Sequence, residues 1–171
     1  MIALWFVLIV VAVFFFMEGA AWWTHRYVMH GWGWGWHRDH HEPHDKAWEK
    51  NDLYAVVGCV LGMGLFFVAM FTGSWPVRAV ATGVTLYGAV YLFVHDGLVH
   101  QRWPFHWMPA NGYARRLVQA HKLHHAVQTR EGAVSFGFVF APDPQRLSAI
   151  LKARRAERAN APGMVPDVEP S

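Results

Sequence analysis

Residues 2–30 read IALWFVLIVVAVFFFMEGAAWWTHRYVMH, an apolar run that leads directly into a histidine motif. As a helix, Ile2–Trp23 would be about 33 Å long, enough to cross the hydrocarbon core of a bilayer. A cleaved signal peptide is the alternative, but no Lys or Arg precedes the run and His25 follows it almost at once. Its one charged residue, Glu18, either faces other helices or marks a substrate cavity. The stretch predicts an integral membrane protein with a histidine motif at the end of a span.

Two further apolar runs, Leu53–Phe71 and Val77–Val94, are joined by the uncharged turn sequence TGSWP. This connector predicts a helical hairpin. Three spans result, and they place every histidine motif on one side of the membrane. A fourth crossing at 103–119 is the alternative, but it would bury two arginines and carry the last motif to the opposite side.

Composition and charge placement support this arrangement. The chain is 54% hydrophobic and 16% charged, which is too apolar for an ordinary soluble domain of 171 residues. The single cysteine, Cys59, excludes a disulfide framework and a cysteine-based metal site. Fourteen of the fifteen Lys and Arg lie in residues 25–52 or after residue 95, and only Arg78 lies elsewhere. The positive-inside rule therefore places that side in the cytoplasm and the N-terminus outside, in the cell inner membrane. No recognition motif for nucleic acid accompanies the positive charge.

Ten of the twelve histidines form four tight clusters, and the same pair of motifs occurs twice. Each half of the chain has an HxxxxH followed by an HxxHH. The ten are His25, His30, His37, His40 and His41 in the first half, and His95, His100, His121, His124 and His125 in the second. An internal pseudo-repeat around a shared site would give this pattern, as would two convergent half-sites.

The spacings have a physical meaning. On an α-helix, HxxHH puts its three rings on one face. The two rings of HxxxxH lie about 140° apart on an ideal helix, so they serve one site only by flanking it or if the helix is distorted. Gly31 and Gly97 would both permit such a distortion.

Ten imidazoles indicate two metal ions, since a single zinc needs only three or four ligands. Imidazole suits Zn, Cu, Fe and Ni, and oxidation of a lipid-borne substrate by O₂ requires a redox metal, which favours iron. Asp39 and Asp96 are the candidate carboxylates that accept the second ring N–H and fix the tautomer, although solvated surface charges are the alternative. His44 and His106 fall outside the pattern and are not assigned as ligands.

Four strings carry a resemblance to a known family. They are HGWGWGWH at 30–37, NDLYAVV at 51–57, HDGLVHQRWP at 95–104 and HHAV at 124–127. The histidine motifs, in this order, resemble the membrane fatty-acid hydroxylase and sterol desaturase superfamily. The longer strings are similar to its bacterial β-carotene hydroxylase subfamily, and the resemblance runs from about residue 5 to 141.

The resemblance implies a di-iron, O₂-dependent monooxygenase that takes a carotenoid from the bilayer. It would hydroxylate C3 of the β-ionone ring, converting β-carotene through β-cryptoxanthin to zeaxanthin, and related enzymes also take canthaxanthin to astaxanthin. Electrons would come from ferredoxin and its reductase. Four basic residues are candidates for docking an acidic ferredoxin, although positive-inside bias would also place them there: Arg115, Arg116, Lys122 and Arg130.

The alternatives are a related membrane oxidase with the same ligands, either a carotenoid ketolase or a lipid desaturase, or a non-enzymatic membrane metal-binding protein. A bis-histidine haem protein would have no use for HxxHH.

The predicted fold is an all-α integral membrane protein with about three transmembrane helices and a histidine-rich di-metal site on the cytoplasmic side. Residues 1–141 would form the hydroxylase domain. Residues 142–171 would form a basic helix, suited to an anionic lipid surface, and a disordered tail.

Overall fold

The structure, a computed structural model, describes residues 1–42, 48–104 and 106–160. Within these ranges the chain is helical and has no strand, which confirms the all-α prediction. The helices are α1 Ile2–Trp23, α2 Trp34–His41, α3 Asp52–Thr72, α4 Trp75–Leu92, α5 Gly112–His125 and α6 Pro144–Ala159. Two π-helical stretches, Thr24–Trp32 and Phe93–Val99, continue α1 and α4.

Three helices are long and apolar enough to cross a membrane: Ile2–Trp32, Asp52–Thr72 and Trp75–Val99. No residue of α1 is fully buried within the protein, and many of its apolar side chains are exposed, as expected of a helix with one face towards lipid. α3 likewise buries only Gly62 and Ala69. The predicted three spans are confirmed, and the chain is a multi-pass membrane protein.

α4 packs against both α1 and α3. Gly83 allows the close approach of α1, since a Cβ at this position would lie 2.8 Å from Cβ of Val13. The rings of Phe14 and Tyr87 meet edge to face at 5.6 Å in the same interface. The connector behaves as predicted, because Gly73 ends α3 with φ at 65° and the Ser74 hydroxyl caps the start of α4.

The first HxxxxH motif lies within one π-helical stretch, and the second motif ends one residue after the other stretch, so of the two arrangements that the spacing allowed the structure shows the distorted helix. In the second motif the N–H of His100 donates to the carbonyl of His95 at 2.9 Å, a bond that spans five residues instead of four. This wider turn brings residues i and i+5 towards the same face. In the first motif the backbone leaves the helical region at Gly31, with φ −117° and ψ −124°.

α5 carries the last HxxHH back to the other motifs, so the alternative of a fourth crossing at 103–119 is wrong. α6 begins at Pro144, within the segment expected to form a basic helix, and the Asp143 side chain accepts from the N–H of Gln145. The side chains of Leu147 and Leu151 pack with Ala120 of α5 in one apolar cluster. The predicted disordered tail lies outside the described residues from 161 onward.

Candidate metal centre

The ten predicted histidines converge at one end of the three spans. Nine of them form two groups in which the ligand atoms all lie within 4.8 Å of one another. The first group is His25, His30, His37, His41 and His124, and the second group is His40, His95, His100 and His121. The tenth ring, His125, adjoins the second group, with its Nε2 2.9 Å from Nε2 of His121.

The two groups do not correspond to the two halves of the sequence. The middle histidine of each HxxHH motif crosses to the group built by the other half. His40 of α2 joins the second group, with its Nε2 2.9 Å from that of His95. His124 of α5 joins the first group, with its Nε2 3.1 Å from that of His30 and 3.2 Å from that of His41. The repeated motifs therefore build two interlocked half-sites, and neither half of the chain completes a group alone.

The spacing of the ring nitrogens fits metal coordination. Metal–imidazole bonds are about 2.0–2.1 Å long, so two nitrogens on one ion lie about 2.9 Å apart at a right angle and about 3.4 Å apart at the tetrahedral angle. In the first group the Nε2 of His37 lies 3.1 Å from the Nε2 atoms of both His25 and His41. These separations are those of neighbouring ligands on a single ion.

The ring tautomers leave lone pairs at the centre of each group. In seven rings Nδ1 faces an oxygen that can only accept, so Nδ1 carries the proton and the neutral ring presents an unprotonated Nε2. In the first group Nδ1 of His25 donates to the carbonyl of Phe136 at 2.9 Å and Nδ1 of His124 donates to that of Val134 at 2.8 Å. Two facing lone pairs repel unless a cation lies between them, so the donor set fits a metal.

A buried ring nitrogen without a hydrogen-bond partner and the lowered pKa values of the rings also support metal binding. Nε2 of His100 is buried and has no hydrogen-bond partner in the described part of the chain. Burial also lowers the pKa of His100 and of His41 to about 4, and burial lowers the pKa of His125 further. These rings are neutral at pH 7, which is the form that binds metal ions.

In the second group, the oxygens that accept from Nδ1 of His40 and His95 belong to carboxylates. Nδ1 of His95 donates to Asp96 at 2.7 Å, and Nδ1 of His40 donates to Glu49 at 2.5 Å. Asp96 therefore lies where the sequence prediction placed it. Among the described residues Asp39 accepts from no histidine: its Oδ2 accepts from the N–H of Lys50 at 2.8 Å, and its buried Oδ1 has no partner there.

In the first group, the oxygens that accept from the ring Nδ1 atoms are uncharged. Nδ1 of His37 donates to the side-chain oxygen of Asn51 at 2.7 Å. The other four rings donate to backbone carbonyls of one segment, residues 127–136. The acceptors are Val127 for His41, Arg130 for His30, Val134 for His124 and Phe136 for His25.

Glu49, Asn51 and the carbonyls of 127–136 were not predicted as hydrogen-bond partners of the histidines, although Asn51 begins the NDLYAVV string. Glu49 and Asn51 directly precede the second span, but neither belongs to a histidine motif, and backbone carbonyls have no sequence signature. Of the two histidines outside the pattern, His106 is exposed and belongs to neither group. His44 lies outside the described residues.

Aromatic side chains enclose the centre. Phe138 stacks on His25 with ring centroids 5.1 Å apart, and Tyr91 stacks on His95 at 4.8 Å. Trp34 meets the ring of His30 at 5.2 Å. The histidines are thus held in a dry, aromatic surrounding, which is suited to the oxidation of an apolar substrate.

The comparison with protein families defines the class. Residues 10–142 match the fatty acid hydroxylase family, and the chain belongs to this family. The match includes all ten clustered histidines. Family membership makes the chain an enzyme of the hydroxylase type and removes the non-enzymatic alternative.

Curated relatives are similar over most of the chain. A β-carotene hydroxylase of Pantoea ananas is 51% identical over 161 residues, which cover 94% of this chain and 91% of that protein. A β-carotene hydroxylase of Pseudescherichia vulneris is 55% identical over 148 residues, covering 86% and 83%. The chloroplastic β-carotene 3-hydroxylase 2 of Arabidopsis thaliana is 36% identical over 129 residues, covering 74% of this chain and 42% of that protein. No solved structure matches the chain significantly.

Proposed function

We propose that this enzyme hydroxylates C3 of the β-ionone ring of carotenoids, using O₂ and two iron ions held by the ten clustered histidines. One oxygen atom is inserted into the ring C–H bond, and the other is reduced to water with two protons from solvent and two electrons from reduced ferredoxin. β-Carotene would become β-cryptoxanthin and then zeaxanthin, and canthaxanthin would be taken to astaxanthin. The relatives described above are named as hydroxylases, which favours hydroxylation over ketone formation or desaturation.

The observation that carries the proposal is the pair of interlocked groups, in which unprotonated Nε2 atoms face one another at 2.9–3.2 Å. Nine such ligand atoms exceed what one ion can bind, so they fit two. Bound iron would supply the redox chemistry with O₂ that zinc lacks. Imidazole ligands add no negative charge, so the rings leave the positive charge on the metals.

The protein's own residues have three tasks. The histidines hold the ions, and the carboxylates, the Asn51 amide and the carbonyls of 127–136 keep each ring in one tautomer and orientation. The apolar spans admit a substrate that has no charged group. Aromatic rings such as Phe138, packed on His25, exclude water from the centre and leave only apolar contacts to orient the substrate.

The proposed test is expression in cells that accumulate β-carotene, followed by chromatography of the pigments. We expect zeaxanthin, with β-cryptoxanthin as the intermediate. Unchanged β-carotene, with the protein present in the membrane and iron supplied, would contradict the proposal. A ketone product would contradict hydroxylation while leaving the metal centre intact.

We further propose that the centre lies on the cytoplasmic side of the cell inner membrane, with the N-terminus outside. The positive charge after residue 95 supports this orientation, and a cytoplasmic ferredoxin could reach the basic residues of α5 there. A reporter inserted at Thr72–Trp75 should lie outside the cell, and one fused after Ser171 should lie inside. An external Ser171 in an active enzyme would contradict this orientation.

A further inference from the structure

Glu18 is a carboxylate within the first membrane span, and its two oxygens have four partners. Oε1 accepts from the backbone N–H groups of Phe138 at 3.1 Å, Val139 at 3.1 Å and Phe140 at 2.8 Å. Oε2 accepts from the hydroxyl of Tyr87 on α4 at 2.7 Å. The carboxylate therefore ties α1, α4 and the segment 138–140 together.

The three N–H groups point at one oxygen, an arrangement of consecutive amides that binds anions. Residues 138–140 form no helix or strand, so Glu18 supplies the acceptor that secondary structure does not. Gly137 allows the approach, because a Cβ there would lie 2.6 Å from Oε1. No salt bridge joins Glu18 to a cation in the described ranges, so its role is to accept hydrogen bonds.

The segment that Glu18 holds also orients the histidines. Two residues before Phe138, the carbonyl of Phe136 accepts from Nδ1 of His25, and the carbonyl of Val134 accepts from Nδ1 of His124. The ring of Phe138 itself stacks on His25 at 5.1 Å and meets His95 at 5.6 Å. A displacement of 138–140 would therefore reach rings of both histidine groups.

We propose that Glu18 is a positioning residue of the metal centre, which fixes residues 134–140 so that their carbonyls and rings hold His25 and His124 in the metal-binding orientation. Loss of the carboxylate leaves three adjacent N–H groups without their acceptor. The segment must then rearrange to satisfy them, and the carbonyls at 134 and 136 move with it. This inference rests on the proposed metal centre, but its first readout does not depend on carotenoid turnover.

The first experiment is hydrogen exchange by mass spectrometry on the purified full chain, comparing Glu18→Ala and Glu18→Gln with the unsubstituted protein. Removing a charged acceptor should make exchange at 138–140 about 10- to 100-fold faster in Glu18→Ala. Glu18→Gln keeps one acceptor oxygen and should fall between the two. Tyr87→Phe removes one donor only and should leave exchange at 138–140 nearly unchanged.

The second experiment uses the same proteins loaded with Co(II), whose visible spectrum reports the ligand geometry. Glu18→Ala should change the Co(II) spectrum. In the iron-loaded enzyme, Glu18→Ala should lower kcat for β-carotene while KM stays nearly constant, and Glu18→Gln should partly restore both the spectrum and kcat. Glu157→Gln is the matched control, since Glu157 is exposed on α6 and lies outside both the histidine groups and the segment 127–140. It should behave as the unsubstituted protein.

Three results would overturn the inference. The first is normal exchange at 138–140 in Glu18→Ala, which would show that the carboxylate does not hold the segment. The second is faster exchange with an unchanged Co(II) spectrum, which would show that the segment does not orient the ligands. The third result concerns Glu18→Gln, which serves as the test if the Glu18→Ala protein does not accumulate. Fully normal exchange and a normal Co(II) spectrum in Glu18→Gln would then contradict the inference. If Glu18 proves to position the segment in a protein without carotenoid activity, only the proposed function fails.

Discussion

The two histidine groups are similar in their ligand atoms but differ in the oxygens that accept hydrogen bonds from the ring Nδ1 atoms. In the first group every Nδ1 with a partner donates to a neutral oxygen, either a carbonyl of 127–136 or the amide of Asn51. In the second group, Nδ1 of His40 and Nδ1 of His95 donate to carboxylates, Glu49 and Asp96, within the described part of the chain. A carboxylate partner makes the imidazole more basic and a stronger ligand. Nearly identical sequence motifs therefore produce two electronically different half-sites.

The carboxylates of the second group belong to a charged network. Arg102 makes two contacts to Asp52, at 2.7 and 2.8 Å, and lies 3.7 Å from Asp96. The hydrogen bond with Asp52 raises the pKa of Arg102, so it stays charged. This cation offsets part of the negative charge beside the second group. The first group has no carboxylate on any of its rings in the described part of the chain.

The crossing of His40 and His124 gives the largest expected effect. Replacing His124 by Ala should remove the metal of the first group, although His124 belongs to the second half of the sequence. Activity should fall more than a hundredfold. Loss of a residue that only hydrogen-bonds to a ligand already lowers metal affinity or activity about 10- to 100-fold. Metal per chain and zeaxanthin formation are measured together.

The matched control for this substitution is His106→Ala, which removes an exposed histidine that belongs to neither group. It should keep full metal content and activity. His41→Ala and His125→Ala should behave like His124→Ala. Normal hydroxylation by His124→Ala or His125→Ala would mean that the ten-ligand assignment is wrong.

An intermediate effect is expected at Glu49. Glu49→Gln keeps an oxygen for Nδ1 of His40 but removes the charge, so the second group comes to resemble the first. Metal affinity of that group should fall about 10- to 100-fold. Titration with Co(II) measures this affinity, and equal affinities in the two proteins would show that the carboxylate has no electronic role.

The smallest effect, and one of opposite sign, is expected at Asn51. Asn51→Asp gives Nδ1 of His37 a carboxylate as its hydrogen-bond acceptor, so the first group comes to resemble the second. The Co(II) affinity of the first group should rise by up to about tenfold, since charged hydrogen bonds are roughly twice as strong as neutral ones. A fall in affinity, with the helix α3 still formed, would contradict the electronic difference between the groups.

Features that depend on local spacing could be predicted from the sequence. The apolar runs predicted three spans, TGSWP predicted the hairpin, and the 140° separation within HxxxxH required the distortion that the π-helical stretches supply. The ten histidines could be selected because their pattern repeats. Each of these depends on residues close together in the chain.

Features that depend on distant contacts could not be predicted in this way. His25 and Phe136 are 111 residues apart, and Glu18 is 120 residues from Phe138. The crossing of His40 and His124 depends on ring contacts between residues far apart in the chain, such as Nε2 of His124 with Nε2 of His41, 83 residues away, and motif spacing does not reveal these contacts. Asp39 illustrates the same limit, because its place inside HxxHH suggested a partner for a histidine while its carboxylate turns to the backbone of Lys50.

Metal content is the most direct test of two interlocked metal groups. The purified protein, supplied with iron during expression, should contain two iron ions per chain, and chelation followed by Fe(II) but not Zn(II) should restore hydroxylation. His25→Ala and His95→Ala each impair one group only and should each lower the content towards one ion. A single ion per chain in the unsubstituted, active enzyme would contradict the account.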